Sequence, residues 1–186
     1  MTTPEITGLK QTPATHNLQT KLPDVITQDI TAKDLPDLKR MFESNLDFFA
    51  EGGIYADDLY TMIEQEVSSE HASPHQRIGI WKGENLVGYV SVVPSERHTA
   101  EHEVEVAYLV DSRYARQGIA SAAVEAIVDD EIEKGNHVIA EVENRNKASQ
   151  KMLGKLGFEL TAEQNGRHVY SHGGLSIDEM MHRLGM

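Results

Sequence analysis

Val104-Glu105-Val106-Ala107-Tyr108-Leu109-Val110, and shortly after it Arg113-Tyr114-Ala115-Arg116-Gln117-Gly118-Ile119-Ala120, decide how this chain folds. The first run is rich in β-branched and aromatic residues and reads as a strand. The second is a turn that opens a helix: Ile119, Ala123, Ile127 and Val128 recur at helical spacing, with Ile132 continuing the stripe. A turn at a helix start aims several backbone N–H groups one way, backed by the positive end of the helix dipole. It suits a phosphate or pyrophosphate. Gly118 has no side chain to block close approach, and Ala120 adds only a methyl group.

Outward from this centre the pattern continues. Glu125, Asp129, Asp130, Glu131 and Glu133 give the helix an acidic outer face, and Gly135 caps its end. His137 to Glu143 reads as a second strand. Asn146 then caps a helix whose Ala148, Met152, Leu153 and Leu156 face inward, before Gly157-Phe158. Upstream, residues 24–31 read as a strand, 34–50 and 57–70 as helices, and 76–82 and 86–93 as a hairpin turning at Gly83-Glu84-Asn85. Downstream, 158–160 and 168–172 form a hairpin around Gln164-Asn165-Gly166. The element order implies an α/β sheet of mixed direction, with the strand–helix–strand piece as a right-handed crossover.

Composition bounds the function. The chain has 186 residues, which suits one domain, and a net charge of −13 from 17 basic and 30 acidic residues. That balance argues against nucleic acid as a partner, since phosphate backbones need a basic face. It is compatible with a cationic substrate, or with solubility alone. There is no cysteine, so disulfides, thiolate catalysis and cysteine-held metals are excluded. No apolar run reaches the roughly 20 residues of a membrane span, and no signal peptide is legible. The expected compartment is the cytoplasm. Residues 1–23 read as a flexible tail, 24–174 as the domain, and 175–186 as a short amphipathic helix or tail. The stripe on that last segment suits a homodimer contact or a cover for its own core.

Three elements together resemble the GNAT N-acetyltransferase family over residues 24–172. Leu109-Val110-Asp111 resembles the segment that binds the acyl-thioester arm through its backbone. Arg116-Gln117-Gly118-Ile119-Ala120 resembles the acetyl-CoA pyrophosphate loop, R/Q-x-x-G-x-G/A. Asn146-x-x-Ser149 with Leu156-Gly157-Phe158 resembles the second cofactor-contacting helix. The resemblance implies a mixed, largely antiparallel sheet flanked by helices, with a βαβ core binding acetyl-CoA. It implies cofactor contacts from Leu109, Val110, Arg116, Gln117, Gly118, Ile119, Ala120, Asn146 and Ser149. Two positions depart from the pattern. Ala115 stands where the family often has Gln or Arg, and Leu153 where many members carry a tyrosine acid. Asn146-Lys147-Ala148-Ser149 instead resembles the branch that acetylates ribosomal-protein N-termini, which implies Ser149 as the group protonating the departing thiolate.

Acetyl transfer to an amine needs a base, a polarised carbonyl and a stabilised leaving group. Glu103 and Glu105 are two apart on one strand and so share a face with Ala107 and Leu109. Glu105 is the closer match to a Glu of many relatives, so the resemblance implies it as the base, directly or through a water, with Glu103 second; at a solvated sheet edge both would do nothing. Asn146 can hold the cofactor arm, cap its helix, or both. The expected acceptor is a primary amine, on a protein N-terminus or a small molecule, attacked in a ternary complex. The alternative is a non-catalytic acyl-CoA-binding sensor of the same fold. His98, His102 and Glu103 lie close in sequence but lack metal-ligand spacing, and no metal is expected. Phe42, Phe48, Phe49 and Tyr55 form an aromatic group that suits core packing and one wall of a substrate slot.

Overall fold

The computed structural model describes residues 16–51, 55–69, 73–95 and 102–172. Eight strands form one sheet: β1 (Asn17–Gln19), β2 (Val25–Asp29), β3 (Gln76–Lys82), β4 (Asn85–Pro94), β5 (Glu103–Val110), β6 (His137–Glu143), β7 (Glu159–Gln164) and β8 (Arg167–His172). Among the described residues five α-helices accompany it: α1 (Leu35–Glu43), α2 (Leu46–Glu51), α3 (Ala56–Ser68), α4 (Ile119–Glu133) and α5 (Lys147–Lys155). The strand order is β1-β2-β3-β4-β5-β6-β8-β7. Only β5 and β6 pair in parallel; every other neighbouring pair is antiparallel.

The sheet separates two apolar clusters. One packs Ile119, Ala123, Val124, Ile127 and Val128 of α4, with Leu153 of α5, against one face. The other packs Leu38, Met41 and Phe42 of α1, Phe49 of α2 and Ile63 of α3 against the opposite face. Along β5 the side chains obey the two-residue period: Val104, Val106, Tyr108 and Val110 join the α4–α5 side, and Leu109 joins the α1–α3 side. Glu103 and Glu105 therefore lie on the α1–α3 side, as their spacing predicts.

Three expectations are corrected. The helix expected over 34–50 is two helices, broken at Ser44 and Asn45. Ser44 Oγ and Asn45 Nδ2 both donate to the Met41 carbonyl, at 2.8 and 2.7 Å, so side chains take over the end of α1. The stretch read as a tail to residue 23 contains β1, paired in register with β2. His16 just before it is buried and bonded through Nε2 to Thr27 Oγ1 at 2.9 Å. Residues 1–15 and 173–186, including the expected C-terminal helix, lie outside the described residues.

Glu131 is the third correction. Expected on the acidic outer face of α4, it is 1% exposed. It accepts from Gln76 Nε2 at 3.1 Å, Lys134 Nζ at 2.6 Å and Asn136 Nδ2 at 2.6 Å. A buried carboxylate survives because three donors satisfy it. Beside it Gly135 turns the chain left-handed at φ 85°, and Asn136 N donates to the Glu131 carbonyl at 2.9 Å, closing the helix.

Two glycines have opposite requirements. Gly166 occupies the second turn position between β7 and β8 at φ 76°, following Asn165 at φ 51°, the pair of left-handed residues a tight hairpin needs. Gly154 lies inside α5 with nothing within 4 Å of an added Cβ. Gly154→Ala is expected to stabilise the protein by about 0.5–1 kcal/mol. Gly166→Ala is expected to cost about 1–2 kcal/mol. Urea unfolding of the two variants checks both signs.

Candidate active site

The parallel ladder between β5 and β6 is short. It pairs Glu103 with His137, Val104 with Val138 and Glu105 with Ile139, and then ends. Both strands continue, but each follows its other neighbour. β5 stays in register with β4 through Gly88↔Val110, and β6 stays with β8 through Glu143↔Arg167. The sheet is thus split at its centre, and a cleft of about 710 Å³ opens there. Strand β5 lines it with Glu105 to Leu109, β6 with Glu141 to Glu143, and the start of α5 with Asn146 to Ser149.

Backbone direction along β5 follows from its hydrogen bonds. Asp111 N donates to the Val87 carbonyl at 2.9 Å, and Ser95 N to the Glu103 carbonyl at 2.9 Å, so odd-numbered residues address β4. His137 N donates to the His102 carbonyl at 2.9 Å, so even-numbered residues address β6. Beyond the last paired residues, the backbone groups of Tyr108 and Val110 face the split. Leu109, expected to present its backbone there, is corrected: its carbonyl points at Gly88 of β4, and only its side chain lines the cleft.

The sequence-predicted carboxylates separate. Glu105 lines the cleft. Glu103 lies two residues back, at the first of the three pairs rather than the last, and is absent from the lining. It is buried and accepts from Ser95 Oγ at 2.5 Å. Ser149 lines the cleft from the first turn of α5. Its N–H donates to Asn146 Oδ1 at 3.1 Å, so Asn146 caps the helix and lies in the cleft lining as well. Leu153, at the position of the family's tyrosine, is fully buried in the main core.

The loop before α4 leaves the start of that helix open. Gly118 is the N-cap at φ 78°, and no side chain caps the helix. The first N–H groups of α4 are therefore left without side-chain partners. Arg116 is also left-handed, at φ 60°, so two of three consecutive residues curl the backbone inward. Arg116, Gln117 and Gly118 are exposed, Ile119 is buried and Ala120 is half-buried. Gln117 Oε1 accepts from Lys82 Nζ at 3.0 Å, which brings a cation to this rim. Arg113 is not available: its Nη2 and Nε grip buried Asp111 at 2.5 and 3.0 Å. That hydrogen bonding holds Asp111 below the usual carboxylate range.

The opposite wall is aromatic. Phe42 meets Phe49 at 5.0 Å between centroids and Tyr89 edge-on at 5.8 Å. All three line the cleft together with Leu59. Tyr55 does not join them; it is 76% exposed at the start of α3. Tyr89 takes its place, anchored by Arg77 Nη1, which donates to the phenol at 3.1 Å. Burial pushes the Tyr89 phenol up to about 12, so it stays protonated and cannot act as a base. Behind it, Arg77 Nε donates to Glu66 at 2.5 Å and His75 Nδ1 meets the same carboxylate at 2.7 Å. Burial alone would raise Glu66, but these hydrogen bonds outweigh it and leave it below its ordinary value.

Sequence reading missed Tyr89, Tyr108, Glu141 and Arg167 in the cleft. Strand tyrosines read as core, and no local motif marks them. No group of three His, Asp or Glu that could hold a metal occurs among the described residues. No helix there is long and apolar enough to cross a membrane.

The split sheet with an uncapped helix start beside it marks an α/β protein with a central cleft, and comparison with known proteins gives its family. The acetyltransferase (GNAT) family model matches residues 38–158. The chain belongs to the GNAT acetyltransferase family and is an N-acetyltransferase. Among solved structures, ribosomal-protein-S5-alanine acetyltransferase from Vibrio fischeri superposes with TM-score 0.67 at 20% identity, over 86% of this chain and 96% of that one. Mycobacterium smegmatis RimJ in complex with a CoA-disulfide gives 0.65 at 16%, over 92% and 94%. A Salmonella typhimurium acetyltransferase described as modifying the N-terminal serine of ribosomal protein L7/L12 gives 0.66 at 14%, over 80% and 94%. At these identities the likeness is one of fold. Among curated proteins, none matches the chain.

The Asp111–Arg113 pair fixes the corner between β5 and the Gly118 loop. A carboxylate lowered on folding adds stability above its unfolded value, about 3.9, and loses it as pH falls through the folded value. Asp111→Asn is expected to be less stable than the wild type at neutral pH, with the gap closing below about pH 4. Denaturant unfolding across that range checks this; a gap independent of pH would remove the ionic contribution.

Proposed function

We propose that the chain moves an acetyl group from acetyl-CoA to a primary amine by direct attack in a ternary complex. The observation that carries this is the split between β5 and β6, with Glu105 on the α1–α3 side and Ser149 on the α4–α5 side. The residues present fit the coenzyme. Gly118, Ile119 and Ala120 would hold its pyrophosphate on backbone N–H groups, with Arg116 and Gln117 at the rim. An added Cβ at Gly118 meets nothing within 4 Å, which is the open approach a phosphate needs. Asn146 and the backbone of Tyr108 and Val110 would hold the arm. Bound there, acetyl-CoA supplies an activated acetyl thioester.

The chain's own groups do the rest. Glu105 takes a proton from the incoming ammonium, directly or through a water. The N–H groups of Tyr108 and Val110 face the split, where they can polarise a carbonyl oxygen without a side chain. Ser149 offers its hydroxyl to the leaving sulfur. Without cysteine the sequence has no thiolate to carry the acetyl group, which favours direct attack over that covalent relay. The amine enters from the aromatic wall of Phe42, Phe49, Leu59 and Tyr89. The solved neighbours named for ribosomal-protein alanine and serine N-termini support a protein N-terminus as acceptor, with a small amine as the alternative. We place this reaction in the cytoplasm, where acetyl-CoA and new N-termini meet.

Thiol release from acetyl-CoA against a panel of amines and N-terminal peptides tests the reading. Glu105→Gln is expected to lower kcat by about 10²–10⁴-fold and Ser149→Ala by about 10²-fold, each with little change in KM for acetyl-CoA. Coenzyme binding without release across the panel would overturn the enzymatic role of this cleft in favour of a sensor. Gly118→Val tests the loop separately. A β-branched residue at φ 78° is strained and shields the N–H groups, so KM for acetyl-CoA is expected to rise at least about tenfold. An unchanged KM would remove the pyrophosphate assignment.

A further inference from the structure

The hydroxyl of Tyr108 is buried and makes no hydrogen bond within the protein. Leaving a phenol in that state is costly, and native proteins rarely do so without a use for it. Its ring packs against the α4–α5 core, so the group is firmly held. Its surroundings are specific: Tyr108 and Ser149 line the same cleft, and both lie on the α4–α5 side of the split sheet. Burial pushes the phenol above its ordinary value, while the Ser149 hydroxyl beside it draws the other way without reaching normal hydrogen-bond geometry. The phenol therefore remains a proton donor at working pH, in the same cleft as Ser149.

Ser149 alone is a poor source of a proton. An aliphatic hydroxyl is a far weaker acid than a thiol, so proton transfer from it to a thiolate runs uphill unless the alkoxide is quenched at once. A phenol, with an ordinary value near 10, is much closer to a thiol. We propose that Tyr108 is the positioning residue that orients Ser149 and replaces the proton Ser149 gives to the departing thiolate. This rests on the acetyl-transfer reading above.

The balance is complete. The amine nitrogen bonds to the acetyl carbon, and the carbon–sulfur bond breaks with its electron pair going to sulfur. Sulfur takes the Ser149 Oγ proton, and Ser149 takes the Tyr108 Oη proton. The incoming ammonium loses two protons, one to Glu105 before attack and a second to water as the tetrahedral intermediate collapses. After product release Glu105 returns its proton to water and Tyr108 regains one from water, so no other reactant is needed. The two proton paths stay on opposite sides of the sheet and do not short-circuit.

Tyr108→Phe tests the assignment, because it keeps the ring. A purely structural Tyr108 predicts an unchanged or slightly raised melting temperature and unchanged chemistry, since an orphaned buried hydroxyl is lost. The relay predicts at least about a tenfold fall in kcat with KM for acetyl-CoA held within about twofold, and a changed basic limb of the pH profile. It also predicts that Tyr108→Phe/Ser149→Ala is no slower than Ser149→Ala alone.

The second readout needs no acceptor. Because the chain contains no cysteine, the Raman S–H band of its complex with coenzyme A belongs to the ligand alone. Titrating that band is expected to give a thiol roughly one unit more acidic in the wild type than in Tyr108→Phe, since hydroxyl donors favour the thiolate. Equal thiol values in the two proteins, or additive losses in the double variant, would overturn the relay while leaving the acetyl-transfer reading intact. A wild type that binds coenzyme A but releases no thiol with any acceptor would remove both.

Discussion

Three residue pairs decide what this molecule can do. β5 and β6 hold each other only at Glu103↔His137, Val104↔Val138 and Glu105↔Ile139. A parallel pair that ran on would bury Tyr108 and Val110 in ladder hydrogen bonds and close the sheet. By parting, the strands leave backbone donors facing a cleft without leaving either strand unsupported, because β4 and β8 carry them on their outer sides. Backbone groups held in this way are already oriented before a substrate arrives, which is the condition for useful electrostatic stabilisation. The split also gives the cleft two faces with different chemistry, and every candidate group belongs to one face or the other.

The corner after β5 shows how the halves are tied. Asp111 is fully buried, grips Arg113, and accepts from the Arg113 N–H at 2.9 Å. One residue on, Ser112 N donates to Asn45 Oδ1 at 3.2 Å. Asn45 is the residue that breaks the first long helix, so the break and the corner are one construction. The α1–α2 wall of the cleft is thereby pinned to the segment that leads into the Gly118 loop. A change at Asn45 would disturb both ends of the site without touching either substrate.

Much of this was legible in the sequence. The strands 76–82, 103–110 and 137–143 have the bounds that alternation and turn residues imply. Gly118 stands at the N-cap and Gly135 just past the C-terminus of α4, where their backbone freedom is needed. What failed to show were features decided by partners remote in sequence. Glu131 reads as surface because its satisfying donor Gln76 is 55 residues away. The break at Asn45 is invisible in a periodic run, because the side chain that ends the helix is also a good surface residue. Spacing puts Glu103 and Glu105 on one face, but only the end of the β5–β6 ladder, a property of two strands, shows one inside the cleft and one behind it. In the sequence Tyr108 is one more strand aromatic; only the packing shows that its hydroxyl is orphaned.

The acidic balance of the chain takes a different meaning beside the cleft. Glu141 is matched by Arg167 at 3.7 Å and Glu143 by Arg145 at 2.7 Å. Both acidic residues of β6 therefore face basic partners rather than adding an unopposed field to the split. Such half-exposed pairs contribute little to stability, about 0–1 kcal/mol each, so neutralising the rim is their clearer consequence. The surplus of negative charge lies elsewhere, including exposed Asp57 and Asp58 at the start of α3. The net charge therefore acts over the molecule in general rather than at the split. At the split itself, the α1–α3 face presents the aromatic wall and Glu105.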